Sequence, residues 1–193
     1  TGPTFADEVA KNLPAAALIA SRNKILAKSL SQLFFQSSLR LYLSDDTIGS
    51  SIAGAIKNII AIGAGISDGL KLGDNAKAGL ITRGIEETRR IIEACGGKKE
   101  TAFGLAGVGD MTLTCSTPHS RNMKYGMDLV KNKKINDQVL VEGVYALKAA
   151  KILSTKLDID TPIINSINDI VHKKRNIKII ISELFSRPTK REF

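Results

Sequence analysis

The sequence predicts a mainly α protein, with an all-helical domain over residues 45–193 that follows a short α/β segment at residues 1–44. From residue 45 onward the apolar residues recur at helical spacing, whereas the earlier part contains two short strand-like runs. A composition of 43% hydrophobic and 24% charged residues is typical of a globular chain. Because aromatic residues make up only 5%, we expect a core of Ile, Leu, Val and Ala.

The first 44 residues predict a strand, a helix and a second strand. Ala15–Ala20 is a short apolar run, Leu39–Leu43 alternates, and the stretch 23–35 between them has helical spacing. Such a unit belongs to a parallel sheet and is not stable without further strands. We therefore expect residues 1–44 to be the tail of a preceding α/β domain, and the chain to be part of a longer polypeptide.

A long apolar helix is predicted next, between Asp46 and Asp68. It carries a single charge, Lys57, among isoleucines at near-helical spacing. A membrane span is the rival interpretation, but the central charge and the high Gly and Ser content favour a buried core helix. Eight of the 16 glycines lie on this helix or the next one, where they would allow another helix or a ligand to approach the backbone closely.

Six further helices complete the predicted domain, for about seven in all. Gly96 and Gly97 form a helix stop signal, and Pro162 suits the first turn of a helix. The predicted ranges are 75–95, 100–105, 120–131, 140–157, 162–175 and 177–185.

The net charge of +9 is concentrated towards the C-terminus, because residues 1–118 carry 13 basic and 11 acidic residues and residues 119–193 carry 15 and 8. This excess is compatible with a nucleic-acid face, an anionic membrane surface, a phosphorylated substrate or a solvated surface. We favour the last, since the lysines are spread over several helices. Cys95 and Cys115 are too few for a disulfide framework or a zinc site, which indicates a reducing, cytosolic location.

Lys57 and its neighbour Asn58 are the first candidate site residues. A lone lysine in an apolar helix is commonly explained by its stem covering apolar surface while the ammonium reaches water. The alternative is an acid or base placed in a site of low polarity, with Asn58 as a neutral donor and acceptor.

A glycine-rich turn, Gly104 to Gly109, precedes Asp110 and Thr114. It is not a dinucleotide-binding fingerprint, because no strand comes before it. One interpretation is a plain loop with a helix-capping Asp110. The other is a ligand-facing loop in which Asp110 orients a substrate hydroxyl or the ammonium of Lys57.

The triplet Ser120, Arg121 and Asn122 opens a predicted helix. A hydroxyl, a guanidinium and free backbone amides together suit a phosphate group, although helix capping alone would account for Ser120. His119 and His172 are not accompanied by other ligand types, so we predict no metal site.

Taken in order, these segments resemble the bacterial-type NAD(P)-dependent glycerol-3-phosphate dehydrogenases over nearly the whole chain. The stretches at 48–84 and 104–122 are highly specific in combination. The matching stretches are TGPTFADEVA (1–10), IGSSIAGAIKNIIAIGAGISDGLKLGDNAKAGLITRG (48–84), GLAGVGDMTLTC (104–115), SRN (120–122), VEGV (141–144) and FSRP (185–188).

The resemblance implies reversible, NADH- or NADPH-dependent reduction of dihydroxyacetone phosphate to sn-glycerol 3-phosphate, for glycerophospholipid synthesis in the cytoplasm. It implies that residues 1–44 end a Rossmann coenzyme domain, and that residues 45–193 form a substrate domain resembling the C-terminal domain of 6-phosphogluconate dehydrogenase. It further implies a homodimer without nucleic-acid or integral membrane partners. The chain lacks the Rossmann Gly-rich turn, so we expect it to be inactive alone.

The resemblance also assigns roles to individual residues. Lys57 would be the catalytic proton donor and acceptor, with Asn58 and Asp110 as its polar companions. The remaining substrate-binding positions would be Gly2, Thr4, Thr114, Ser120, Arg121 and Asn122, and the cofactor-binding positions would be Ala6, Arg121, Leu140 and Glu142.

Two alternatives remain open at this point. The first is another dehydrogenase of the same two-domain superfamily, acting on a different hydroxy acid or sugar acid. The second is a nucleic-acid or membrane-surface module built on the basic C-terminal third, including Lys173, Lys174 and Arg175, but this would leave the lysine helix and the glycine turn without a purpose.

Overall fold

The structure, a computed structural model, describes residues 1–131, 140–189 and 191. Within them the mainly α class is confirmed, and residues 132–139, 190, 192 and 193 of the predicted helical domain lie outside the described residues. The elements are α1 (Ala6–Ala10), β1 (Ala15–Ala20), α2 (Lys24–Gln32), β2 (Leu39–Ser44), α3 (Thr47–Gly69), α4 (Asp74–Ala94), α5 (Asp110–Ser116), α6 (Arg121–Val130), α7 (Glu142–Lys156), α8 (Pro162–Val171) and α9 (Ile177–Phe185).

The two strands form a parallel pair, with Ala15 opposite Leu39 and Ala20 opposite Ser44. Helix α2 connects them, so the predicted strand–helix–strand unit is confirmed. Its outer surface is apolar: the side chains of Ile25, Leu33 and Phe35 are 78–88% exposed. A surface of this kind needs cover from further structure in a folded protein.

Helix α3 is the centre of the helical domain and packs against α4, α5, α6 and α7. Its isoleucines at 59, 60 and 62 are fully buried. The helix is long and apolar enough to cross a membrane, but 67% of its most apolar window is buried inside the protein, as the core-helix interpretation requires.

Glycines allow α3 and α6 to cross in backbone contact. A Cβ at Gly65 would clash with the carbonyl oxygen of Met123, and a Cβ at Gly126 would clash with that of Ile62. The expected role of small residues in close helix approach therefore holds for this crossing.

Some predicted elements differ from the observed ones. The predicted helix 162–175 ends at Val171, because Lys174 has a φ of 55°, which no right-handed helix can include. The predicted helix 23–35 ends at Gln32. The predicted helix 100–105 is a 3-10 turn at Lys99–Phe103, and the short helices α1 and α5 were not predicted.

Candidate active site

The Lys57 side chain forms an ion pair with Asp110. Its Nζ lies 2.7 Å from both carboxylate oxygens, and the side chains are 23% and 5% exposed, respectively. Of the two roles foreseen for Asp110, the structure therefore places it on the ammonium. Because Nζ carries three protons and two point at the carboxylate, one donor remains for a further partner.

The glycine-rich turn positions Asp110. Leu105–Gly109 form a single π-helical turn that continues directly into α5, of which Asp110 is the first residue. A Cβ at Gly107 would clash with the backbone of Ala102, so the turn can pack this tightly only with glycine there. A single π turn of this kind is frequent at functional sites.

Thr114 lies one turn after Asp110 on α5. Its Oγ1 donates to the Asp110 carbonyl oxygen at 2.6 Å and lies 3.3 Å from Oδ1. Thr114 is buried, and its hydroxyl lies beside the Asp110 carboxylate with its one proton directed at the Asp110 carbonyl.

Asn58 connects α3 to α6 and α7. The Asn122 amide donates to Asn58 Oδ1 at 2.9 Å, and the backbone N–H of Gly143 donates to Asn122 Oδ1 at 2.9 Å. Gly143 must be glycine here, since a Cβ would lie 2.6 Å from the Asn58 carbonyl oxygen. Gly143 lies in the VEGV stretch, but no local signal in the sequence marks it as a site residue.

Glu142 joins this network to Arg121. Asn58 Nδ2 donates to one Glu142 oxygen at 3.0 Å, and Arg121 Nη2 lies 3.5 Å from the other. The Arg121 and Glu142 side chains are 60% and 55% exposed. The charged, solvent-accessible pair of Arg121 and Glu142 therefore adjoins Asn58, which follows Lys57 in the sequence.

Ser120 has the capping role that the simpler interpretation gave it. It is buried, and its Oγ accepts from the N–H of Met123 at 3.4 Å at the start of α6. Its hydroxyl is thereby engaged with its own helix.

The N-terminal segment lies against the same site. Gly2 has a φ of 138° and packs on β1, where a Cβ would be 3.0 Å from the Cα of Ala17. The Thr4 hydroxyl donates to the Gly2 carbonyl at 3.3 Å, and the rings of Phe5 and His119 are 5.8 Å apart. The contact between Phe5 and His119 was not predicted, because the two residues are far apart in the sequence and no local pattern relates them.

Two predicted positions are exposed beside the network rather than part of it. Ala6 begins α1 and Leu140 precedes α7 with a side chain 54% exposed. Neither side chain carries a polar atom, so neither can hydrogen-bond to Lys57 or Asp110.

Cys115 lies on α5 close to the site but is poorly suited to act as a nucleophile. Burial raises the pKa of its thiol to about 12, and both cysteines are free. Among residues 1–131, 140–189 and 191, no group of three or more His, Cys, Asp or Glu side chains could hold a metal ion.

Comparison with known proteins assigns the fold to a class. The crystal structure of glycerol-3-phosphate dehydrogenase from Coxiella burnetii superposes with a TM-score of 0.89 at 40% identity and covers 97% of this chain. A structure from Dunaliella salina superposes with a TM-score of 0.82 at 25% identity. The fold is thus that of the helical part of a dehydrogenase.

The family follows from the sequence comparison. The family described as "NAD-dependent glycerol-3-phosphate dehydrogenase C-terminus" matches residues 46–182, and the chain belongs to it. The "Glycerol-3-phosphate dehydrogenase [NAD(P)+]" proteins of Fusobacterium nucleatum and Legionella pneumophila are 40% and 43% identical over the whole chain. The chain spans about 60% of the length of these relatives.

Proposed function

We propose that this chain is the substrate-binding and catalytic domain of a dehydrogenase that interconverts dihydroxyacetone phosphate and sn-glycerol 3-phosphate with NADH or NADPH. The observation that carries the proposal is the ion pair between Lys57 and the buried Asp110, within a chain of this family. Lys57 is the proton donor and acceptor of the reaction.

The geometry of Lys57 suits proton transfer to a developing alkoxide. Asp110 holds the ammonium with two hydrogen bonds of 2.7 Å, which leaves the third N–H for the substrate oxygen at C2. An ammonium so placed stabilises the negative charge that grows on this oxygen and then transfers its proton to it. In the reverse direction, neutral Lys57 accepts the hydroxyl proton.

Substrate recognition is proposed to involve the residues around this pair. Asn58 follows Lys57 on α3, and Asn58 and Asn122 hold each other by a hydrogen bond that fixes this side of the site, while Arg121 supplies a guanidinium for the phosphate. Arg121 is 60% exposed, and its contact with Glu142 is long, at 3.5 Å. Its side chain can therefore turn to a bound anion at little cost. Gly2, Thr4, Thr114 and Ser120 shape the site by backbone contacts and by holding their neighbours.

A nicotinamide nucleotide fits the exposed side of this network. Arg121 and Glu142 offer a guanidinium and a carboxylate beside Asn58, and Ala6 and Leu140 are exposed surfaces that could lie against it. When bound, the nucleotide supplies the hydride. Most of its binding surface belongs to an α/β coenzyme domain, and residues 1–44 are the last part of that domain. Residues 45–193 form the separate substrate domain.

We further propose that the enzyme works in the cytoplasm as a homodimer, without nucleic-acid or integral membrane partners, and supplies the glycerol backbone of phospholipids. A related dehydrogenase acting on another hydroxy acid is the competing function. A substrate panel distinguishes the two, since only the first turns over dihydroxyacetone phosphate.

Oxidation of NADH and NADPH with dihydroxyacetone phosphate tests the proposal in the polypeptide that includes the coenzyme domain. Lys57→Ala should reduce kcat by roughly 10²- to 10⁴-fold in protein that is still folded, a far larger effect than its cost to stability, and Lys57→Arg should not restore it. Residues 1–193 alone should be inactive.

Lys77→Ala is the matched control, because Lys77 forms a comparable pair with Asp68 at 2.7 Å outside the site. It should retain near-normal turnover. Near-full activity of Lys57→Ala would refute the role of Lys57. A folded intact protein with no turnover by either nucleotide would refute the substrate and favour the competing dehydrogenase.

A further inference from the structure

A cleft of about 600 Å³ lies between α4, α8 and α9, away from Lys57. Small-molecule sites have volumes of roughly 300–1,000 Å³. Where the cleft reaches α3, it is lined by Gly63, Ile66 and Ser67, and even the nearest of them, Gly63, is roughly 9 Å further along the helix than Lys57 at the helical rise per residue. The cleft is therefore separate from the candidate active site.

The cleft is elongated. It follows one face of α4 from Asn75 to Arg90, a distance of roughly 22 Å at a rise of about 1.5 Å per residue. Helix α8 lies antiparallel to α4, since the N–H of Ile163 at its start donates to Glu87 in the second half of α4, and Ile167 further along α8 lies with Leu80 beside Gly63. Its 10 residues span roughly 15 Å and so line about two thirds of the cleft. The elongated shape suits a long, narrow ligand.

The two ends of the cleft differ chemically. One end is lined by aliphatic side chains from all the surrounding helices, and the other by charged ones. The aliphatic residues are Ile66, Ala76, Leu80, Ile167, Ile170 and Ile180, and the charged residues are Arg83, Glu86, Glu87, Arg90, Asp160 and Arg187.

The charged end favours an anion. Arg191 also lines it, so four guanidiniums face three carboxylates, and of these Arg90 is hydrogen-bonded to Glu86 and Arg187 to Asp160. The Glu87 carboxylate is buried and accepts the backbone N–H groups of Ile163 and Ile164 at 2.7 and 3.0 Å. Glu86 is also engaged by Arg89, which lies outside the cleft. The local balance is therefore positive.

We propose that this cleft binds a single long acyl chain, with its tail between the aliphatic side chains and its anionic head group at the arginines. Removal of the tail from water drives binding. The guanidiniums fix the orientation, because they form charge-assisted hydrogen bonds with a carboxylate or phosphate.

Isothermal titration calorimetry of the chain with dodecanoate, below its micellar concentration, tests the proposal. Dodecanoate and dodecyl phosphate should both bind, and the tighter of the two identifies the preferred head group. Hexanoate should bind at least roughly a hundredfold more weakly, because it buries a shorter tail. Dodecyltrimethylammonium, which has the tail but the opposite charge, should also bind much more weakly than dodecanoate.

Gly79 provides a variant that fills the cleft. It lines the cleft, and a Cβ added there meets no atom within 4 Å. Gly79→Leu should abolish dodecanoate binding, whereas Gly79→Ala, the matched control on the same helix, should retain it. Arg187→Gln should weaken dodecanoate roughly tenfold without affecting dodecyltrimethylammonium.

Three results would overturn the proposal. They are the absence of dodecanoate binding, equal binding of the cationic probe, and undiminished binding by a folded Gly79→Leu variant. If Gly79→Leu instead changes the ligand-free protein from an oligomer to a monomer, the cleft is an interface between copies of this chain and the acyl site is refuted.

Discussion

At the scale of single residues, the site depends on one buried carboxylate. Asp110 is only 5% exposed, and a buried carboxylate is costly unless it is paired and hydrogen-bonded. Lys57 supplies the paired charge with two hydrogen bonds. The same bonds hold the ammonium of Lys57 at one position, so the stability of the ion pair and the orientation of the proposed proton donor have a common origin.

Asp110→Asn tests this dependence. The amide has the same shape but cannot balance the charge of Lys57, so we expect kcat for dihydroxyacetone phosphate to fall at least roughly tenfold. Steady-state kinetics of the polypeptide with its coenzyme domain measure the change. Asp68→Asn, in the ion pair with Lys77, is the control and should have little effect. A normal kcat in Asp110→Asn would show that the carboxylate is dispensable.

Arg121→Ala tests phosphate recognition. Loss of a charge-assisted hydrogen bond should raise KM for dihydroxyacetone phosphate by roughly 10- to 100-fold, equivalent to about 1.5–3 kcal/mol, with a smaller change in kcat. Arg175→Ala is the control, since Arg175 is bound to Asp169 and Glu183 on the surface. An unchanged KM in Arg121→Ala would remove Arg121 from the substrate site.

At the scale of elements, the site depends on how closely α3 and its neighbours approach. Asp110 reaches Lys57 because the π turn Leu105–Gly109 packs on the preceding 3-10 turn and leads directly into α5. Asn58 reaches α7 because Gly143 leaves room for its backbone. Glycines at both crossings therefore determine which side chains can meet.

Gly107→Ala tests the first of these crossings. The added methyl would clash with the backbone of Ala102, and the resulting strain should lower the free energy of unfolding by roughly 1–3 kcal/mol. Gly104→Ala is a matched control in the same turn, because its Cβ would have 3.7 Å to the nearest atom. Urea denaturation of both variants measures the difference. Equal stability of the two would show that the turn adapts without cost.

At the scale of the whole molecule, the excess positive charge is partly balanced by local ion pairs. Lys173 and Arg175 both contact Asp169, and Arg187 contacts Asp160. Such exposed pairs contribute little to stability individually. They do show that the basic third of the chain includes mixed-charge clusters, which favours a solvated surface over a continuous nucleic-acid face.

Stability should depend on pH through Glu87. Burial raises the pKa of this carboxyl to about 7 from an ordinary 4.5, although hydrogen bonds from Ile163 and Ile164 oppose the rise. The folded state thus binds this proton more tightly than the unfolded state. The corresponding stabilisation is complete below pH 4.5 and is lost as the pH rises towards and through 7.

Comparison of the chain with Glu87→Gln isolates this effect. The difference in their free energies of unfolding should change by up to roughly 3 kcal/mol between pH 4.5 and 7.5, to the disadvantage of the unsubstituted chain at the higher pH. Chemical denaturation at several pH values measures it. A pH-independent difference would show that Glu87 does not titrate in this range.

The sequence by itself was sufficient for the fold class, the strand–helix–strand unit and most of the helices. Apolar periodicity is a local property, and the burial of α3 follows from a long apolar helix with one charge. The sequence motifs also identified Lys57, Asn58, Asp110 and Arg121 as candidate site residues. The short helices α1 and α5 escaped because five to seven residues give too little periodicity.

Which candidates meet depends on tertiary packing. The sequence allowed Asp110 to be a helix cap, a substrate ligand or a partner of Lys57, and the packing of α5 on α3 brings it into contact with Lys57. Tertiary packing likewise brings Glu142 to Asn58 across 84 positions of the chain, and it creates the cleft between α4, α8 and α9. Contacts between residues distant in the chain depend on the close packing of whole helices, which no local pattern encodes.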